Sequence, residues 1–509
     1  MSAMICIDFG NSYTKVAIRP GSDEVARVLT DKNLLFDDLN FCIPTIAAVQ
    51  TGRSSPQWRF GSDVLMFQDK DPHLKVLRNW KPRFFSAKSS IDPLIMRHAS
   101  TNRVSRGGTA VIAPPLIVPL AAEAWESVRD SLNLSDEYRS EFESLVYGLR
   151  VRARQSRDAL IETEPEESYP DAQNFEEDFE INAIAGGFFT WLLKVMIAPA
   201  CLKAGFGDAS QIPTRITLPS FGSQANAEML LTDILQGAGW CIDTRTPTLA
   251  EPLANALGMF TEGRNHTWLR KNTRSPDLGK MLENTGLRER IREATLADGR
   301  KSAWTLTIDL GGYTTDFAMM GFPLDDFEPS FTEGTLDDLP RTRHQSTALG
   351  VAELDQRIIA ALPPGKAAAY QAVLAAPNGV QLENLHRSLL GELKPYSLGK
   401  IGRIGAGSEM ATIRDVIEQF SNEMADAAET FLQTHQYEVI DDLILTGGGL
   451  MIPLIRDHLI GALKHRLSDR AHIHVYRSSN ELIDPRFHQL DQLMIRGATA
   501  IGGASVYFD

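Results

Sequence analysis

Apolar and polar positions along the chain fall into short β-branched runs that end in glycine-rich turns, and this happens at three distant places, residues 5–15, 306–317 and 443–453. Such runs predict strands feeding tight turns. Residues 212–218 read as a further buried strand, while 226–236 and 249–260 carry their apolar residues at helical spacing. Strands alternating with helices predict an α/β fold in which helices are layered on sheets. The most apolar long stretch, residues 186–202, is broken by Lys194 and Pro199. It falls short of the roughly 20 clean apolar residues of a spanning helix, so it predicts a buried helix and no membrane span.

Length changes the picture next: 509 residues exceed one ordinary core and predict two lobes with subdomains. A hydrophobic share of 43% with 23% charged residues predicts a chain that folds over most of its length. The formal net charge of -14 argues against a nucleic-acid binder, because neutralising phosphates needs a basic surface. Cys6, Cys42, Cys201 and Cys241 show no paired ligand spacing and read as reduced, structural cysteines of a cytoplasmic protein. A strand beginning at the first residues leaves no room for a secretory signal, which points the same way. Two stretches read as solvated inserts or as a surface for a protein partner: the acidic 162–180, without Lys or Arg, and the basic 261–301. Trp268 alone supplies an aromatic for stacking in the basic stretch, which weakens a nucleic-acid reading further.

The turns carry the candidate chemistry. The first is Asp8-Phe9-Gly10-Asn11-Ser12-Tyr13-Thr14-Lys15. Gly10 permits a tight turn whose backbone N–H groups can converge on phosphate oxygens, and an aspartate at a strand end can hold magnesium through water. The second, Asp309-Leu310-Gly311-Gly312-Tyr313-Thr314-Thr315-Asp316, repeats that arrangement. Two such hairpins facing each other would clamp a triphosphate. In the third, Gly447, Gly448 and Gly449 precede Leu450-Met451-Ile452-Pro453 and a helix, and let a flat ring or ribose lie against backbone.

In order and spacing, these turns resemble the phosphate 1, phosphate 2 and adenosine motifs of the actin-like ATPase superfamily, which includes actin, heat-shock protein 70 chaperones and sugar kinases. The segment Glu251-Pro252-Leu253-Ala254-Asn255-Ala256 resembles the Glu-Pro-x-Ala-Ala-Ala of the chaperone branch, and Ile216-Thr217-Leu218-Pro219-Ser220-Phe221 resembles its Val-x-Val-Pro-Ala-x-Phe strand. Ala348-Leu349-Gly350 through Asp355 and Arg357, and Arg496-Gly497-Ala498-Thr499-Ala500, are similar to two later segments of that branch.

The resemblance implies an actin-like two-lobed fold of RNase H-like cores around a nucleotide cleft. Lobe I would span 1–260 with a subdomain near 28–112, and lobe II 302–491 with a subdomain near 355–421. A closing helix, 492–509, would return to lobe I. The implied cofactors are ATP or ADP with magnesium. Asp8 and Asp309 would hold the metal through water, and Glu251 would orient a water on it. Gly10, Asn11, Ser12, Tyr13, Lys15, Gly311, Gly312, Tyr313 and Thr314 would line the phosphates, and Gly350, Gly447, Gly448, Gly449 and Ile452 the remainder of the nucleotide. Lys81 resembles the lysine beside the γ-phosphate, with Lys15 competing for that role, and Asp8, Asp309 or Asp316 could accept the proton. Asn11, Ser12 and Tyr313 depart from the chaperone pattern, and the sequence shows no peptide-binding domain after the closing helix. The implied function is therefore a slow ATPase switch, chaperone-like but acting through a partner. A self-associating actin-like filament ATPase and a small-molecule kinase are the alternatives.

Overall fold

The strand-and-turn grammar produces two mixed sheets with one and the same strand order. In the computed structural model the described residues are 3–21, 26–29, 41–50, 57–67, 74–78, 80–85, 172–221, 225–260, 302–323, 341–375, 382, 384–398, 402–435, 439–475 and 488–505. The first sheet starts with β1 (Met4–Phe9), β2 (Tyr13–Arg19), β3 (Arg27–Val28) and β4 (Ile43–Pro44). A separate three-stranded sheet follows, made of β5 (Ala47–Gln50), β6 (Gln57–Phe60) and β7 (Leu74–Leu77). Then β8 (Thr214–Leu218) and β9 (Thr248–Ala250) complete the first sheet in the order β3-β2-β1-β8-β9, with β4 also on β2. The second sheet is built from β10 (Ser302–Leu310), β11 (Thr315–Pro323), β12 (Arg341–Thr347), β13 (Ile440–Thr446) and β14 (Leu467–Val475), ordered β12-β11-β10-β13-β14. In each sheet two antiparallel pairings are followed by two parallel ones. The chain is thus mixed α/β, as its pattern of runs predicts.

Side-chain alternation explains how each sheet buries both faces. On β1, Ile5, Ile7 and Phe9 enter a core with Phe188, Phe189 and Trp80, while Cys6 faces the helix His488–Ser505, where Gly503 has room for no Cβ beside the Cys6 sulfur. This closing helix lies on β1, β2 and β8, so the last described element completes the first sheet. Arg19 Nη1 donates to Ser505 O (2.7 Å) and Arg215 Nη1 to Gly503 O (3.3 Å), which places two cations at the carbonyl end of that helix, where its dipole favours them. The closing helix crosses the helix Glu251–Phe260 at backbone distance. A Cβ on Gly258 would stand 1.9 Å from Ala498 O, and one on Gly502 1.8 Å from Ala254 O.

Several expected boundaries move. Since β3 and β4 both pair with β2, the separate subsheet leaves the first sheet after Pro44, later than the expected residue 28. Residues 86–112 lie outside the described residues. Residues 172–180 of the acidic stretch open the helix Ala172–Trp191, while 162–171 and the basic 261–301 lie outside the described residues. The expected subdomain end at 421 falls inside one continuous helix, Glu409–Thr434, whose apolar face spans both sides of that point. Arg357 bridges this helix to its neighbour through Glu423 (2.7 Å) and Glu353 (2.9 Å). The closing helix is His488–Ser505, opening ahead of the expected 492, and 506–509 lie outside the described residues.

The apolar stretch 186–202 lies within one helical rod. A π-helical segment, Leu192–Ile197, leads into Ala198–Ala204, and the wider turn stands just before Pro199, whose missing N–H would otherwise break the ladder. Residues 182–204 are long and apolar enough to cross a membrane, yet 72% of that window is buried inside the protein. Phe188, Phe189, Leu192 and Leu193 pack there under the first sheet.

Candidate functional site

Asp8 and Asp309 occupy equivalent places, each one residue from the end of its central strand. Register makes the equivalence detailed. Asp8 stands opposite Lys15 and beside Thr217, whereas Asp309 stands opposite Asp316 and beside Thr446. One hairpin therefore offers an opposite-charge pair and the other a like-charge pair. Lys15 Nζ donates to Asp8 Oδ2 (2.7 Å), and Asp316 accepts from Thr314 Oγ1 (3.2 Å) and from Ser346 Oγ.

The first two turns meet face to face: a Cβ on Gly312 would lie 3.0 Å from Ser12 Oγ and 3.7 Å from Asn11 Cβ. Gly10 is required by the Tyr13 carbonyl oxygen, 2.3 Å from where its Cβ would be. The second turn rests on the helix Val351–Ala361, whose first amides, Val351 N and Ala352 N, donate to Gly311 O (3.0 Å) and Gly312 O (2.9 Å). Gly350 serves that junction, because a Cβ there would strike Tyr313 backbone at 2.3 Å.

The third turn closes in from the other side. Gly447 has φ +86, and its Cβ would fall 2.1 Å from Asp309 Oδ1 and 2.5 Å from Leu310 O. Gly449 is equally confined, against Leu310 Cγ at 2.3 Å, while a Cβ on Gly448 would meet nothing within 4 Å. Gly447→Ala is expected to destabilise the fold by about 1–3 kcal/mol through backbone strain, read as a lower thermal midpoint. Gly448→Ala is expected to leave that midpoint in place.

Lys81 reaches the same centre from the 3-10 turn Lys81–Phe84, which begins after Trp80. Trp80 is fixed by its Nε1 bond to Thr45 O (3.1 Å) and by its ring against Phe9 (5.2 Å between centroids), so the turn cannot drift. Lys81 Nζ donates to Glu251 Oε1, the first residue of the Glu251–Phe260 helix, and both side chains are buried. Asn255, one turn on and on the same face, donates through Nδ2 to Asp309 Oδ2 (2.6 Å).

Four carboxylates, of Asp8, Glu251, Asp309 and Asp316, thus share a centre with two ammonium groups, of Lys15 and Lys81. Burial pushes Asp309 up to about 7, with Asp8 and Glu251 adding to the rise and Lys15 and Lys81 opposing it. Asp316 is likewise raised to about 7 by burial and by Asp309, against its hydroxyl donors and Lys81. Glu251 lies well above the carboxylate range for want of solvent, despite Lys81. Burial lowers Lys15, but Asp8, Cys42 and Asp309 together more than offset it and the ammonium is held charged.

A carboxyl whose folded pKa is raised stabilises the fold below its unfolded value and loses that contribution as pH rises through the folded one. In metal-free protein, wild type is therefore expected to lose stability relative to Asp316→Asn between pH 4 and pH 8, by on the order of a few kcal/mol. Thermal melts of both proteins across that range check it, and parallel curves would refute it.

No protein-family model matches the chain, and no curated protein is similar to it.

Among the described residues, no three His, Cys, Asp or Glu side chains converge as a self-sufficient metal cage. The acids that do gather are hard oxygen donors and outnumber the lysines four to two. That set fits magnesium, which takes one or two protein carboxylates and fills its octahedron with water and phosphate oxygens. Other expected ligand residues are placed differently. The Tyr313 ring is buried between Phe85 (6.3 Å) and Phe221 (6.0 Å), in the core of the first sheet, which pins the second turn and leaves the backbone of Tyr313 as its part for a ligand. Tyr13 lies under the Arg496 guanidinium (5.5 Å), and Ile452 is packed in the second core. Asn255, Ser346 and Ser220, whose backbone N–H donates to Ser346 Oγ (2.6 Å), are the members that sequence reasoning missed. A lone amide inside the apolar run Leu253-Ala254-Asn255-Ala256-Leu257 was the available signal for the first; the two serines carried none.

Proposed function

We propose that this protein is a two-lobed, actin-like nucleotide switch that binds ATP with magnesium between its two sheets, hydrolyses it slowly and acts on a protein partner. One observation carries the reading: three strand-end glycine turns, from two sheets of identical strand order, converge on Asp8 and Asp309, with Gly312 against Ser12. Facing glycine turns at strand ends suit a chain of phosphates, which backbone N–H groups of such turns can cradle. The open side of Gly448 leaves space against which a base or ribose can lie.

In this reading Asp8 and Asp309 would hold the magnesium, which would supply positive charge against the phosphates. Lys15 and Lys81 supply the remaining positive charge. Glu251 orients the attacking water together with Lys81, and Asp316, poised near neutrality, takes up its proton. No covalent intermediate is needed, because positioning and charge stabilisation carry most of phosphoryl transfer.

Titration calorimetry with ATP, ADP and GTP, in magnesium and in EDTA, tests the proposal. Magnesium-dependent binding of the adenine nucleotides followed by phosphate release from ATP is the expected result. Well-folded protein that binds none of the three would end the reading. Gly448→Ala is expected to weaken ADP binding about tenfold at unchanged thermal midpoint, since the added methyl occupies ligand space alone.

A further inference from the structure

We propose that Asn255 is a positioning residue that orients Asp309 for a divalent cation and ties that orientation to the closing helix. The inference rests on the magnesium reading above and names a residue outside the three turns. Asn255 is 2% exposed and stands on a helix packed against the closing helix and against strands of both sheets, while Asp309 belongs to the second sheet. Its Nδ2 group donates to Asp309 Oδ2 (2.6 Å) and also to Thr499 Oγ1 (3.1 Å) on the closing helix. One amide therefore joins the helix Glu251–Phe260, the closing helix and the carboxylate of a second-sheet strand.

Chemistry fixes the direction of this amide. Beside a cation the Asp309 carboxylate is ionised and accepts hydrogen bonds only, so the nitrogen of Asn255 faces Asp309, as the structure has it, and the carbonyl oxygen faces elsewhere. That oxygen is buried and has no hydrogen-bond partner among the described residues. A buried acceptor left unmade is costly between the Leu253-Ala254 and Ala256-Leu257 pairs of this helix, where an alanine would avoid the cost. Water held on a cation is a strong donor to such an oxygen, and magnesium keeps most of its water. The two ends of Asn255 therefore have separable tasks: the nitrogen fixes the Asp309 rotamer, and the oxygen receives a hydrogen bond from the hydrated ion.

Gly447 reinforces the point from behind. The Asp309 carboxylate is confined on that side by backbone, with Oδ1 at 2.1 Å from the site of a Gly447 Cβ, so its orientation is set by Asn255 on the one hand and by the third turn on the other. Loss of the amide leaves the carboxylate in place but free to rotate.

The test uses the full chain, with Mn2+ alone as the probe, followed by water-proton relaxation, and ADP added in a second series. The variant is Asn255→Leu, which keeps side-chain volume; Thr499→Val removes the second anchor only. Asn255→Leu is expected to raise the Mn2+ dissociation constant about tenfold, or roughly 1.4 kcal/mol, and Thr499→Val two- to threefold. ADP affinity in EDTA should stay within about twofold of wild type in both, which a merely structural role would not allow. Mn2+ curves that superimpose for wild type and Asn255→Leu would overturn the inference, as would wild type that binds no Mn2+ or an equal loss of metal-free ADP binding. Wild type that binds Mn2+ but no ADP, with Asn255→Leu weakened, would keep this inference and discard the nucleotide reading. If Asn255→Leu fails to fold, Thr499→Val decides alone, and an unchanged Mn2+ affinity there counts against the proposal.

Discussion

Asp8→Asn is expected to weaken magnesium-dependent ADP binding by about 100-fold, close to 3 kcal/mol, while ADP affinity in EDTA is unchanged or slightly improved. The amide preserves shape but carries no charge for a hard cation. It also frees Lys15, now matched to Asp8 at 2.7 Å, to meet a phosphate directly. The two conditions therefore move apart. Calorimetry in each buffer reads the gap, and equal losses in both would mean that Asp8 supports the turn and holds no metal.

Lys81→Met is expected to have the largest effect on stability, about 3–5 kcal/mol, because it leaves Glu251 charged or protonated in a site without solvent. Lys81→Met combined with Glu251→Leu should recover most of that loss, since replacing both ions by apolar groups removes the desolvation problem. Chemical denaturation of the three proteins measures it. Phosphate release should stay abolished in both variants, because restored packing does not restore charge beside the γ-phosphoryl group. A double variant that regains stability and turnover together would remove Lys81 and Glu251 from the proposed chemistry.

Much of the local structure was legible because strands and turns are written in nearest-neighbour patterns. The runs before Gly10, Gly311 and Gly447 read as strands ending in turns, and the helix at Glu251-Pro252 was visible to within two residues. What periodicity could not express was identity of place. Nothing in the order of residues says that Asp8 faces Lys15 while Asp309 faces Asp316 at the same register, since that depends on how each hairpin closes. Tyr313 read as part of a phosphate turn, yet the aromatic pocket of Phe85 and Phe221 from distant segments captured its ring. The acidic run 162–180 reads as a solvated insert or a partner surface, because its charge says nothing of the helix that 172–180 opens and that continues into the apolar stretch after it. The candidate ligands on backbone turns could be proposed from sequence; the side chains that hold them from behind, Asn255 and Ser346, belong to tertiary contacts.

The seat of the closing helix on the first sheet also has a bearing on synthesis. Arg19 and Ser505, bonded in the finished molecule, are separated by 486 positions. At roughly 5–20 residues per second, a ribosome needs about 25–100 s to deliver the second partner after the first. Throughout that interval the Cys6 face of β1 has no cover of its own, while the second sheet can pair its strands as they emerge. The part of the chain made first is thus the part finished last, and newly made protein halted before the closing helix should be the species most prone to aggregate and most dependent on holding factors in the cell.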